Sequence, residues 1–441
     1  MPAMRFAFCS ALTGMFVWSC LAMAEQPNAE PFPVTPNKKG LQVQMIEDAV
    51  ALGVQHAALN VDLTRLIDPT GKEGGPTWEV NGQRYAFSPG QVAGIDARVK
   101  PLSDRNIVVT LILLTYASGD VERDRLMLHP DYAASQPTTG PIGMFQMTTD
   151  EGKEALQACI EFLANRYSSD SGHGRVWGYI CGNEVNSHWF WANMGKAEPE
   201  AVIDQYQQAV RIIHEAVRKF SEHARVYISM DHCWNLRYAA GSPQQCMAGR
   251  EFLDRFAAAA RQQGDFDWHV AYHPYPEPLP NPRFWLDTRH SLHHAETPVI
   301  TFRNLQVLTD YLQREPLQWE GQPRRVILSE QGFHCDLSRP EGELEQAAAY
   351  ALAYKKVDGL PGIDAFMLHR HTDHAEEGGL NLGLWTNKPG HICTPDRKRK
   401  MYEVFQAAGT AGEDEAFQFA LPVIGAENWE EALGNLMQPQ N

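Results

Sequence analysis

Two glutamates close apolar runs in this chain. Glu184 stands just after Arg175 to Cys181 (RVWGYIC), in the stretch Gly182-Asn183-Glu184-Val185-Asn186-Ser187-His188-Trp189-Phe190-Trp191. Glu330 follows Arg324 to Ser329 (RRVILS) and precedes Gln331-Gly332. A carboxyl at the end of a buried run has lost much of its water, so it needs a partner or a ligand. Two such carboxyls facing one cleft push each other's pKa values apart. One then keeps a proton for a leaving oxygen, and the other stays ionised to attack carbon. Cleavage of a glycosidic bond requires that division.

Further polar clusters follow other apolar runs: Asn60 and Asp62, then Asp231-His232-Cys233-Trp234-Asn235, His273-Pro274-Tyr275-Pro276, and His369-Arg370-His371-Thr372-Asp373-His374. His273 and Tyr275 are candidates to orient Glu330. Asn186 and His188 are candidates to line the same site. Trp189, Trp191, Trp234 and Trp385 offer flat faces to sugar rings, or else pack loops. His369 and His371 are substrate contacts, metal ligands or parts of a solvated loop. A cationic strand end there suits an anionic sugar. If the strand ran that far, His369 and His371 would share a side and Arg370 would face away.

The elements that carry these residues alternate. Gln55–Val61, Ile107–Leu114, Arg175–Cys181, Arg225–Met230, Phe266–Tyr272, Arg324–Ser329 and Ile363–Leu368 read as seven buried strands. Helical spacing covers 41–52, 90–105, 151–167, 199–223, 251–263, 304–314, 344–357 and 397–408. Near-continuous apolar strands between helices imply a parallel sheet covered on both faces. The fold class is therefore α/β, a (β/α)₈ TIM barrel with long loop insertions at 66–88 and 115–149; a doubly wound open sheet is the alternative. The eighth strand is indistinct, with Phe32–Val34 and Arg84–Phe87 as candidates. Either choice places Glu184 after strand four and Glu330 after strand seven, across the mouth where such barrels keep their chemistry.

Asn183-Glu184 after strand four, with Glu330 after strand seven, resembles the retaining glycosidases built on (β/α)₈ barrels, known as clan A. The resemblance implies that Glu184 is the acid/base and Glu330 the nucleophile. It also implies Asn183 on the sugar 2-hydroxyl, and His273 or Tyr275 against the nucleophile. The eighth strand departs from the clan, ending in His-Arg-His where Trp is common. The spans GNEVNSHWFWANMG, MDHCWN, YHPYPEPL and ILSEQGFH resemble, more specifically, the bacterial domain-of-unknown-function family 5722, over nearly the whole mature chain. That family adds no substrate.

The 441 residues carry 38 basic and 54 acidic side chains, a formal net charge of −16. This excludes a basic footprint for nucleic acid and argues against docking on anionic membranes. Residues 1–24 read as a signal peptide: Arg5, an apolar run to Leu21, and an Ala22-Met23-Ala24 cleavage site. The product is expected to be secreted or periplasmic, with a lipoprotein at Cys20 the less favoured reading. Residues 25–40 form a loose leader and 41–441 one barrel domain. Six cysteines remain after cleavage, and Cys233–Cys246 and Cys335–Cys393 are candidate bridges. Cys181, within an apolar run, reads as a buried free thiol.

The expectation is a secreted glycoside hydrolase acting on a poly- or oligosaccharide by a two-glutamate retaining mechanism. The alternatives are a metal-dependent hydrolase or lyase using His369, His371, Asp231 and His232, or a non-catalytic carbohydrate-binding barrel. The leading reading has a carbohydrate partner, no organic cofactor and no resident metal.

Overall fold

In the computed structural model, residues 26–132, 140–168 and 171–437 are described. The expected signal peptide, and part of the 115–149 insertion, lie outside them. Eight parallel strands form a ring: β1 Lys39–Gln42, β2 His56–Asp62, β3 Val108–Tyr116, β4 Gly178–Cys181, β5 Arg225–Asp231, β6 Trp268–His273, β7 Val326–Gln331 and β8 Ile363–Leu368. Each pairs with its sequence neighbours, and β1 closes the ring onto β8 through Lys39–Phe366, Gly40–Met367 and Leu41–Leu368. Eight helices follow the strands: α1 Ile46–Ala51, α2 Pro89–Ser103, α3 Asp150–Arg166, α4 Pro199–Arg218, α5 Gly249–Gln262, α6 Gln306–Tyr311, α7 Gly342–Asp358 and α8 Lys400–Ala407. The fold is a closed (β/α)₈ barrel.

All seven expected strands form. The eighth is neither candidate. Residues 32–34 make no strand; Phe32 instead stacks edge-on against Trp177 and lies under Arg225, at the end where strands begin. Gln83–Phe87 pairs antiparallel within a small sheet of the first insertion. The missing strand is Lys39–Gln42, which splits the helix expected over 41–52. Only four residues long, KGLQ has no apolar run to read. Gly40 is required there, because a Cβ would come within 2.8 Å of Met367 Cγ.

Apolar residues alternate between two clusters. Ala58, Ile112, Ile180, Tyr227, Ala271, Ile327, Ala365 and Met367 meet inside the ring. Leu59, Leu111, Tyr179, Ile228, Val270 and Leu328 join the layer under the helices. Both faces are buried, so the strands read as continuous apolar runs. Each fully buried Leu or Ile contributes roughly 1.5–3 kcal/mol. The six cysteines among the described residues are free, so neither candidate bridge forms. Among the described residues no helix is long and apolar enough to cross a membrane.

Candidate active site

β4 ends at Cys181, and the chain turns sharply. Gly182 has φ of +73° and Glu184 a φ of +41°. A left-handed glutamate costs of order 1–3 kcal/mol and persists only where its surroundings hold it. Here the Glu184 N–H donates to Ser229 Oγ on β5 at 3.0 Å. Asp231, at the end of β5, clamps the following turn. It accepts from Asn186 Nδ2 at 2.8 Å and from Ser187 Oγ, and its own N–H donates to Asn186 Oδ1 at 3.0 Å.

Glu330 is aimed by a different device. The β7–β8 register shifts between Leu328 and Gln331, the kind of irregularity that re-aims a side chain at a barrel rim. Gln331 is pinned by its amide to Met367 O at 2.6 Å. Tyr275 OH then donates to Glu330 Oε1 at 3.2 Å, and Gln42 Nε2 to Glu330 Oε2 at 3.2 Å. Gln42 Nε2 also reaches Ser329 O at 3.1 Å. Both groups facing that nitrogen are acceptors, which fixes the amide's orientation. Gln42 Oε1 therefore accepts from His369 Nδ1 at 2.7 Å, and His369 Nε2 meets Glu377 Oε1.

His273 ties the two carboxyls together. Its Nδ1 lies 2.8 Å from Glu184 Oε1, and its Nε2 lies 3.0 Å from Ser329 Oγ, next to Glu330. The electrostatics are opposed. Burial pushes Glu184 above the ordinary carboxylate range; the charges of Asp231 and Glu330 add to this, and the His273 hydrogen bond opposes it only in part. Burial alone would raise Glu330 too. Nearby His369 and His273, with the hydrogen bonds from Gln42 and Tyr275, outweigh it and hold Glu330 below that range. Burial works against the charge of His273, but Glu184, Glu330 and Asp231 carry its pKa upward.

The remaining sequence candidates divide by burial. Asn183 sits beside Glu184, 9% exposed, and no hydrogen bond from its side chain to the protein is seen among the described residues. The Asn186 amide is committed to Asp231, so it shapes the turn. His188 has no exposed surface; Nε2 meets Gln244 O at 3.0 Å, and burial takes its pKa down to about 4. Trp234 also has no exposed surface, donates to Ala295 O and packs edge-on against Tyr311, so it is core rather than a stacking face. Trp189 is nearly buried, with Lys196 over its ring at 5.8 Å. Trp385 donates to Asp48 Oδ2 at 2.8 Å and packs against Tyr402. Trp191 is half-buried and meets Tyr238 edge-on, at 6.2 Å between centroids. The Tyr238 hydroxyl feels the charge of Glu184, which places this pair on the Glu184 side.

β8 ends at Leu368, so strand alternation does not govern the His-Arg-His run. His369 joins the Glu330 chain. His371 is 1% exposed and points away, with Nε2 on Asp48 Oδ2 at 2.9 Å and Nδ1 accepting from the Gln44 and Met45 N–H groups. Both its nitrogens are used, which leaves none for a substrate. His232 pairs instead with Glu277 Oε2 at 3.1 Å. His369, His371, Asp231 and His232 thus engage separate partners rather than a common point. Among the described residues no three His, Cys, Asp or Glu side chains converge on a point that could hold an ion.

Gln42, Ser229, Ser329 and Glu377 escaped sequence reasoning. Gln42 lies on the unread strand, and Glu377 sits in a loop eight positions beyond His369. Asp231 was visible as a polar strand end, but its role as a clamp was not.

Several solved structures share this barrel. A hyperthermophilic β-glucosidase from Pyrococcus furiosus is 14% identical, with a TM-score of 0.52 over 86% of each chain. A β-glucosidase mutant derived from a hyperthermophilic tetrameric structure gives 14% and 0.53, again over 86% of each. A family 39 glycoside hydrolase from the gut symbiont Bacteroides cellulosilyticus WH2 gives 14% and 0.50, over 87% of this chain and 66% of that one. At such identity the likeness establishes the architecture alone, a (β/α)₈ barrel. No curated protein matches the chain. Residues 31–432 match the model of the Family of unknown function (DUF5722), and the chain belongs to that family.

Proposed function

We propose that this chain is a glycoside hydrolase in which Glu184 is the acid/base and Glu330 the nucleophile. One observation carries the reading: the carboxyls that close β4 and β7 stand in different settings, Glu184 buried beside His273 and Asp231, and Glu330 partly buried between the Tyr275 and Gln42 donors, so that the proton is favoured on Glu184 and the charge on Glu330. Glu184 keeps its proton where Glu330 has lost its own. In the first step a Glu330 oxygen bonds to the anomeric carbon. The bond to the leaving oxygen breaks, and the Glu184 proton goes to that oxygen. In the second step water attacks the same carbon, Glu184 takes the water's proton, and Glu330 is released as carboxylate.

The neighbours have matching tasks in this reading. Tyr275 and Gln42 hold the Glu330 oxygens, and the unpartnered Asn183 amide is free for a sugar hydroxyl. Trp191 and Tyr238 offer an aromatic wall beside the leaving group. The proposal includes a poly- or oligosaccharide substrate, retention of configuration and export led by residues 1–24. The test is a screen of the purified chain on a polysaccharide panel, with Glu330→Ala as control. Hydrolysis by the wild type that vanishes in the control is the expected outcome. Equal activity in both overturns the assignment.

A further inference from the structure

Between the ends of β1 and β2 and the loop after β8 lies a recess of about 230 Å³, lined by Gln42, Gln44, Asn60, Arg98, Arg370 and His371 among others. It adjoins the reacting centre, because the Gln42 amide in its wall holds Glu330 Oε2. None of its lining residues is acidic. Arg98, half-buried on α2, donates only to backbone carbonyls, Asn60 O at 3.0 Å and Gly94 O at 3.3 Å. No ion pair to it is seen among the described residues. Burial lowers its pKa from the usual arginine value, opposed in part by the Tyr167 hydroxyl. A guanidinium left without a counter-charge in a partly dry recess is costly. It is the more notable in a chain with a net charge of −16.

Arg370 shares the recess. Its Nη1 reaches Glu377 at 3.4 Å, a carboxylate already engaged by His369, and its Nη2 faces only the Cys393 sulfur. His371 contributes no donor, since both ring nitrogens are occupied. The exposed Asn60 side chain makes no hydrogen bond among the described residues and remains available to a ligand.

We propose that this recess reads an anionic substituent, a carboxylate or a sulfate ester, on the sugar bound at Glu330. Arg98 and Arg370 are its counter-charges. The inference rests on the glycosidase reading and deepens it by naming the substrate class, acidic carbohydrate. The planar, many-donor guanidinium suits the oxygens of either anion.

The experiment is calorimetric titration of the full wild-type chain with hydrolysis-resistant methyl thioglycosides in matched sets. Each set contains a neutral sugar, its uronic acid and its 6-sulfate, in the gluco and galacto series. An anionic member is expected to bind about tenfold or more tightly than its neutral partner, the scale of a charged hydrogen bond. Added salt should erode the difference. Arg98→Gln should remove most of it while the neutral partner still binds. If Arg98→Gln does not fold, Arg370→Gln and the salt series decide. The carboxylate and sulfate arms identify which anion is read. Neutral sugars that bind as well as both anionic ones overturn this proposal and leave the glycosidase reading standing. So does a preference that survives in Arg98→Gln and Arg370→Gln. If no sugar of either kind binds, the glycosidase reading falls as well.

Discussion

Glu184 and Glu330 project from the same barrel rim, yet the two sides that hold them are built from opposite chemistry. The Glu184 side, from β4 to β6, surrounds its carboxyl with burial and acid. Asp231 stands nearby as a charge, and among the described residues His273 is the one basic group in direct contact. The Glu330 side, from β6 through β8 to β1, surrounds its carboxyl with donors: Tyr275, Gln42 and, behind Gln42, His369. Loss of water alone would raise both carboxyls. The partners decide that only one of them rises. In the proposed mechanism, the difference between acid and nucleophile lies in the side chains around each carboxyl.

The most severe break is Glu330→Gln. It removes the attacking oxygen while keeping the shape and the Gln42 contact, so turnover should fall below detection in a steady-state assay. It also removes a charge that raises Glu184, so Glu184 should titrate lower in this variant, as read by carboxyl NMR. An unchanged Glu184 would mean that the two sides do not feel each other.

Next in size is Glu184→Gln. Loss of a general acid costs about 10²–10⁴-fold. The deficit should be concentrated in glycosides with poor leaving groups and should shrink with a nitrophenyl aglycone. Added azide should then restore turnover of the activated substrate, giving a glycosyl azide of unchanged anomeric configuration. An inverted product would reject the retaining mechanism, and equal loss on both substrates would reject the acid role.

Tyr275→Phe touches one side only. The hydroxyl is a donor that lowers Glu330, so its removal should raise the Glu330 pKa. At about 1 kcal/mol per hydrogen bond, the acid limb of the kcat/KM profile should move up by roughly half to one pH unit. The basic limb, set by Glu184, should stay in place. Movement of both limbs would show that the sides are not separable.

This contrast also explains what could be read in advance. The seven strands read from the sequence are legible because both faces are buried, so each lies in a run of apolar residues. The two glutamates are legible because they interrupt such runs. β1 is not, since KGLQ pairs on both edges through its backbone while its ends are polar: Lys39 is buried, yet its ammonium reaches Gln406 O at 3.0 Å. With β1 unread, Gln42 could not be found, and with it the path from Glu330 to Glu377. The roles of Trp234 and His371 were not legible for a related reason. Sequence places a side chain after a strand, but the turn that follows decides whether it faces the cleft or the core.

The smallest effect tests the seam that β1 makes with β8, which supports the Glu330 side from outside the cleft. Asp48, on α1, accepts hydrogen bonds from His371 Nε2, Trp385 Nε1 and Tyr402 OH. Burial works to raise its pKa, but these three donors outweigh it and bring it down to about 2 from an ordinary 3.8. A group depressed in the folded state stabilises the fold above its unfolded pKa and loses that contribution as pH falls through the folded value. The support is therefore complete above about pH 4 and fades toward about pH 2. Asp48→Asn cannot accept all three donors and should cost about 1–3 kcal/mol at neutral pH, measured by urea unfolding. The gap from wild type should close as the pH is lowered through that window. Because the Glu184 side shares none of these contacts, Glu184 should titrate as in wild type while the Gln42–Glu330 contact loosens and kcat falls modestly. A gap in stability that persists unchanged at pH 2 would mean that Asp48 is not the charge that holds the seam.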